Sequence, residues 1–180
     1  MMDKSVNAFY ENSSKINFIR QVLENELKKN NKQAALFILT YRIGNFAYYF
    51  IRMRIIRALV LFIAKILNVL VINILFSSYL PMSTKINIGL EIGHPRGIVI
   101  NAHSIVGSNC RLEHQVTLGQ NNGLFPQLGN NVYVGSGAKI IGGAYIFDNS
   151  KVGANAVVNK RFNEPSLLVG VPAVQKKIYN

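Results

Sequence analysis

Aliphatic residues recur at every sixth position through most of the stretch from Ile88 to Phe162. The hexads begin at Ile88, His94, Ile100, Val106, Leu112 and Leu118, and the count resumes at Val134, Ile140, Ile146, Val152 and Val158. The second place is often glycine, and the fifth is small or apolar: Cys110, Ala138, Ala144, Ser150, Ala156. A hexapeptide period predicts a parallel β-helix, in which each hexad forms one short strand and a corner. Three hexads close one coil. First-place side chains then stack inward from coil to coil, and no coil buries its faces alone. Glycine and asparagine at the corners suit the left-handed backbone that other residues avoid. His94 alone puts a titratable group in an aliphatic place.

Between Leu118 and Val132 the count slips, and residues 119–131 are expected to form a loop protruding from one corner. Such loops commonly carry binding residues. Pro81 marks the start of the β-helix, which is expected over 81–163 with a basic tail at 164–180.

Residues 1–80 follow a different pattern. Residues 13–32 read as a polar amphipathic helix, capped by Ser13 or Ser14 and ended by Asn30-Asn31. Residues 33–76 are apolar and aromatic, interrupted by Arg42, Arg52, Arg54, Arg57 and Lys65. Residues 55–76 approach the length of a membrane span. A lysine near mid-bilayer costs about 3 kcal/mol, which argues against crossing. The expectation is helices that lie in a membrane surface or pack against partner subunits. Residues 1–12 lack the basic-then-apolar order of a secretion signal.

Charge narrows the classes further. The chain has 180 residues and a formal net charge of +12. Residues 1–80 hold eleven Lys/Arg and four Asp/Glu, and residues 81–180 hold nine and four. The excess is spread over both halves, so no basic nucleic-acid tail is present. Anionic ligands or an anionic membrane fit instead. Cys110 is the single cysteine, which rules out an intrachain disulfide and fits a reducing, cytoplasmic setting.

Four motifs together resemble the catalytic domain of the serine acetyltransferases, within the left-handed β-helix (hexapeptide-repeat) acyltransferases. They are His94-Pro-Arg-Gly-Ile-Val-Ile, Gln115-Val-Thr-Leu-Gly, Val134-Gly-Ser-Gly-Ala-Lys-Ile-Ile-Gly and Gly170-Val-Pro-Ala. The resemblance covers about half the chain. It implies a left-handed coil, against the usual crossover rule, and a homotrimer with active sites between subunits. It implies acetyl-CoA as donor and His94 as the general base, a role suited to a group of ordinary pKa near 6.5. Coenzyme A positions match Gly119, Ser136, Gly137, Ala154, Asn155 and Pro172, with Lys151, Lys160, Lys176 and Lys177 available for phosphates. His114 and Phe125 are candidate acceptor contacts. No metal is expected, because His94, His103 and His114 do not match the ligand spacing of β-helical zinc enzymes.

The departures concern the acceptor. Serine-specific members carry an aspartate where Gly93 stands and another where Tyr79 stands. Their Arg-His pair in the protruding loop reads Leu124-Phe125 here. A zwitterion then has no evident charge partners. The expectation is therefore acetyl transfer to a sugar hydroxyl in surface-polysaccharide synthesis, at the inner face of the cytoplasmic membrane. Serine acetylation for cysteine synthesis is the alternative, and a non-catalytic β-helix scaffold the rival of another class.

Overall fold

The computed structural model describes Tyr10 and residues 14–176. It is a parallel β-helix, and among the described residues from 14 onward three helices cap its first coil. Helix α1 (Lys15–Gln21) continues as a π-helical turn over Val22–Leu27. Helix α2 spans Lys32–Phe50. Helix α3 spans Arg54–Leu67 and continues as a π-helical stretch over Asn68–Leu75. Ser14 caps α1, its hydroxyl accepting from Asn17 N at 3.2 Å; Ser13 lies outside the described residues. Asn31 caps the next helix, accepting from Ala34 N at 2.9 Å. Asn30 reaches across instead, accepting from Ile92 N at 2.8 Å and donating to Leu90 O at 3.1 Å.

Three parallel faces follow. Face one is β1 (Lys85–Ile86), β4 (Ile105–Val106), β7 (Gln127–Leu128), β10 (Tyr145–Ile146) and β13 (Arg161–Phe162). Face two is β2 (Glu91–Ile92), β5 (Arg111–Leu112), β8 (Tyr133–Val134), β11 (Lys151–Val152) and β14 (Leu167–Val169), with β15 (Val174–Lys176) added antiparallel. Face three is β3 (Val99–Ile100), β6 (Thr117–Gly119), β9 (Lys139–Ile141) and β12 (Val157–Val158).

The first-place column from Ile100 onward is buried as expected: Ile100, Val106, Leu112, Leu118, Val134, Ile140, Ile146, Val152 and Val158 are all fully enclosed. So are the small fifth places. Inner-face residues Phe37, Ile38 and Tyr41 of α2 continue this core over the top of the coil. Between faces one and two, Asn109, Asn131 and Asn149 adopt φ of 55°, 56° and 60°.

Two features depart from the hexad count. In the first coil the inward place on face two belongs to Ile92, which pairs with Leu112. His94 therefore does not occupy an aliphatic place; it stands exposed at the following corner. Eight positions separate the inward Ile92 and Ile100 where six are usual, and the surplus is the corner itself. The loop is also shorter than 119–131, because Gln127–Leu128 is a strand of face one. Only 120–126 project, closed by an Asn121–Leu124 bridge.

Cys110 lies inside, its thiol 3.0 Å from Gly129 O. Burial pushes this thiol up to about 12. Iodoacetamide at pH 8 is expected to leave Cys110 unmodified in the folded protein and to label it after urea unfolding, as read by mass spectrometry. The raised pKa also costs stability at high pH. From about pH 9 to about 12 the unfolded thiol ionises while the folded one stays neutral, so stability falls across that window.

Candidate active site

The corner between faces two and three gathers most of the candidate residues. Each coil contributes one step to it. Gly93 to Gly97 form the first, His114-Gln115 the second, Ser136-Gly137 the third and Ala154-Asn155 the fourth. The steps are tied vertically by backbone bonds: Gln115 N to Arg96 O (2.8 Å), Gly137 N to His114 O (2.9 Å) and Asn155 N to Ser136 O (2.9 Å). The 170–172 turn after β14 prolongs the same corner, with Ala173 N donating to Val157 O at 2.8 Å. His94, His114, Ser136, Gly137, Ala154, Asn155 and Pro172 thus share one edge.

At the top of that edge is a recess of about 500 Å³, lined by both histidines, Arg96, Gln115, Phe76 and Ser77, with Gly97 and Gln33 completing it. The His94 and His114 rings meet edge to face, 6.0 Å between centroids. They stand 20 residues apart, one turn of this coil, since Glu91 and Arg111 pair directly. His114 Nδ1 lies 3.3 Å from Ser136 Oγ, a hydrogen bond whose direction depends on the tautomer. The ring of His114 is thereby held, and His94 stands free above it at the mouth. Below, the edge carries only small side chains. Gly137 is required there: its φ is +73°, and a Cβ would meet Asn155 Oδ1 at 2.1 Å.

Three charged groups at or beside this corner escaped sequence reasoning. Arg96 lines the recess two residues from His94. The Glu113 carboxylate lies against Gly93, so close that a Cβ on residue 93 would stand 1.9 Å from Glu113 Oε2. Arg111 Nε donates to its other oxygen at 2.9 Å. The carboxylate missing at position 93 is thus met by one from the coil below. Only the pairing of coils brings 93 and 113 together, and a count of six misaligned exactly this coil. Lys139 was likewise passed over; its ammonium donates to Gln115 O at 2.7 Å, beside the edge.

Other candidates lie elsewhere. Gly119 ends β6 at the far side of face three, where a Cβ would make ordinary contact with Thr117 Cγ2 at 3.6 Å. Lys151 is exposed on face two. Lys160 sits over the Phe162 ring, and Lys176 is in β15. Lys177 lies outside the described residues. Tyr79 bridges to Val99 at the head of face three. Phe125 is at a different corner of the same chain, 4.8 Å from the His103 ring between centroids. Those two line a second recess of about 510 Å³ with Tyr48, Tyr49, Lys85 and Arg161. Among the described residues no group of three or more His, Cys, Asp or Glu is placed to hold a metal ion.

Comparison with known proteins agrees with this architecture. Residues 125–160 match the family model described as bacterial transferase hexapeptide (six repeats). A serine acetyltransferase of Helicobacter pylori is 43% identical over 94 residues, 49% of this chain and 54% of that protein. One from Synechococcus elongatus is 40% identical over 88 residues, 47% of this chain and 36% of that protein. A soybean serine acetyltransferase structure superposes with a TM-score of 0.69 at 26% identity, covering 81% of this chain and 58% of that one. A serine acetyltransferase in complex with CoA gives 0.70 at 25% identity, covering 94% and 73%. The chain spans between about a third and just over half of these curated relatives.

Proposed function

We propose that this chain transfers the acetyl group of acetyl-CoA to a hydroxyl, with serine as the acceptor and His94 as the base. One observation carries the reading. An exposed histidine stands over a recess at the head of an edge that is otherwise lined by small side chains. Such an edge accepts the extended arm of coenzyme A, and Ser136, Gly137, Ala154, Asn155 and Pro172 are its walls. Lys139 supplies a cation beside them.

In this reading His94 takes the proton from the acceptor hydroxyl as its oxygen attacks the thioester carbonyl. The carbon–sulfur bond then breaks, and the imidazolium returns the proton to the departing thiolate. Base catalysis of this kind contributes about 10²–10⁴-fold. His114 is oriented by Ser136 and faces the same space. Arg96 is the partner for an acceptor carboxylate.

The names of the relatives support serine over the polysaccharide hydroxyl that the sequence departures favoured. Arg96 supports it as well, since a zwitterion does have a cation waiting in the recess. A sugar hydroxyl remains the second reading on a specific ground. Among the described residues no carboxylate lines the recess, and Glu113, at the same corner, is already paired with Arg111. Thioester release by the purified protein, with serine and with nucleotide-linked and lipid-linked sugars, separates the readings. Turnover with serine supports the first and turnover with a sugar alone the second. Absence of release with every acceptor in the panel would leave the scaffold account. A homotrimer belongs to the proposal, because Phe125 reaches no acceptor held at His94 of its own chain. Sedimentation at micromolar concentration is expected to give three chains.

A further inference from the structure

The three helices present an apolar surface that nothing among the described residues covers. Helix α3 with its π-helical continuation, Arg54–Leu75, is long and apolar enough to cross a membrane. One side of it is docked: Ala64 and Ile72 are fully buried, and Asn68 donates to Leu80 O at 3.1 Å. The other side is bare. Ile55 is 86% exposed, Leu59 61%, Phe62 65% and Ile74 67%. Helix α1 adds Ile16 at 78%. An apolar groove of about 370 Å³ joins α1 through Ile19 and Leu23, α2 through Leu39 and Ile43, and α3 through Val60. The helices therefore form one continuous surface, far beyond the scattered exposure normal for a soluble protein.

Charge decides what covers it. Residues 14–76 contain two carboxylates, and both are taken: Glu24 pairs with Arg20, and Glu26 with buried Arg42. Lys15, Lys28, Lys29, Lys32, Arg52, Arg54, Arg57 and Lys65 form no ion pair among the described residues. A second copy docked here through the same helices would bring cations to cations, with no unpaired carboxylate among their described residues to answer them. Anionic head groups do answer them.

We infer that α1, α2 and α3 form a docking surface for an anionic lipid bilayer, lying in its interface without crossing it. The apolar side of α3 enters the head-group boundary, and Arg52, Arg54 and Lys65 reach the phosphates. Crossing is disfavoured because Ala64 and Ile72 are buried against the rest of the protein and Lys65 would lie near mid-bilayer. This inference rests on the helices alone and stands apart from the acceptor assignment.

The test is vesicle flotation of the purified full chain. Phosphatidylcholine vesicles with and without one-third phosphatidylglycerol are compared at low and high salt. Binding is expected to require phosphatidylglycerol and to weaken with salt, by roughly fivefold for each cation removed near the surface. The double variant Leu59→Glu with Phe62→Glu is expected to stay in the dense fraction with its circular dichroism unchanged. Arg52→Glu with Arg54→Glu is expected to lose binding to anionic vesicles. Absence of wild-type binding at low salt would overturn the inference. So would a wild-type assembly that dissociates when Leu59 and Phe62 become glutamate without any vesicle effect, since that identifies a second copy. Bound protein that resists alkaline extraction would identify a crossing helix and overturn it as well.

Discussion

His94→Ala is expected to lower acetyl transfer by about 10²–10⁴-fold while leaving fold and coenzyme A binding intact. His94 is exposed at its corner, so its removal opens no cavity. Surface replacements of that kind usually change stability by about 0.5 kcal/mol or less. The walls proposed for coenzyme A belong to the third and later coils, away from the substitution. The melting curve and coenzyme A affinity should therefore match wild type while turnover collapses. His114→Ala separates the two histidines. If His114 only contacts the acceptor, its loss raises KM more than it lowers kcat, because the base remains. A His94→Ala protein that still turns over at near wild-type rate would refute the assignment of the base.

The hexad count placed His94 in the wrong register, and the reason is geometric. The hexad count flagged it as a polar intruder in an aliphatic column. In the folded chain Ile92 fills that column, and His94 belongs to an enlarged corner. What identified the residue was its motif, not its register. From Ile100 onward the register held, because each strand buries one side chain in a fixed column and a slip would expose the whole set. It failed at the first coil and at the loop, where extra residues collect in corners that carry no periodic signal. The shared edge of Ser136, Gly137, Ala154 and Asn155 was legible, since their spacing repeats the coil. Glu113 beside Gly93 was not, because the two meet only once the first coil's true length is known. Phe125 came from matching a motif position along the chain, and chain order says nothing about which corner a loop leaves.

The helical layer was the least legible part, and Arg42 shows why. In sequence it looks like one more arginine in a basic, aromatic run. In the structure it is 2% exposed, and its guanidinium lies against Glu26, itself fully buried. It therefore contributes nothing to a basic surface. Arg42 Nε donates to Glu26 Oε2 at 2.9 Å, and its other nitrogens donate to Ile86 O and Asn87 O, each at 2.8 Å. Glu26 Oε1 accepts from Gly89 N at 2.9 Å and Leu90 N at 3.1 Å. One ion pair thus satisfies the corner of the first coil from both sides and fastens two helices to it.

Arg42→Met is expected to destabilise the protein by about 3–5 kcal/mol, because it strands a buried carboxylate and removes the donor to Asn87 O. Glu26→Gln keeps the shape but leaves the guanidinium uncompensated, and a loss of similar size is expected. The double variant should cost clearly less than the two single losses added together, since neither charge is then left alone. It will not return to wild type, because Asn87 O still loses its buried guanidinium donor. Urea unfolding followed by circular dichroism reads all three proteins. A loss below about 1 kcal/mol for Arg42→Met would mean that water reaches Glu26 and that the pair does not hold the helices to the coil.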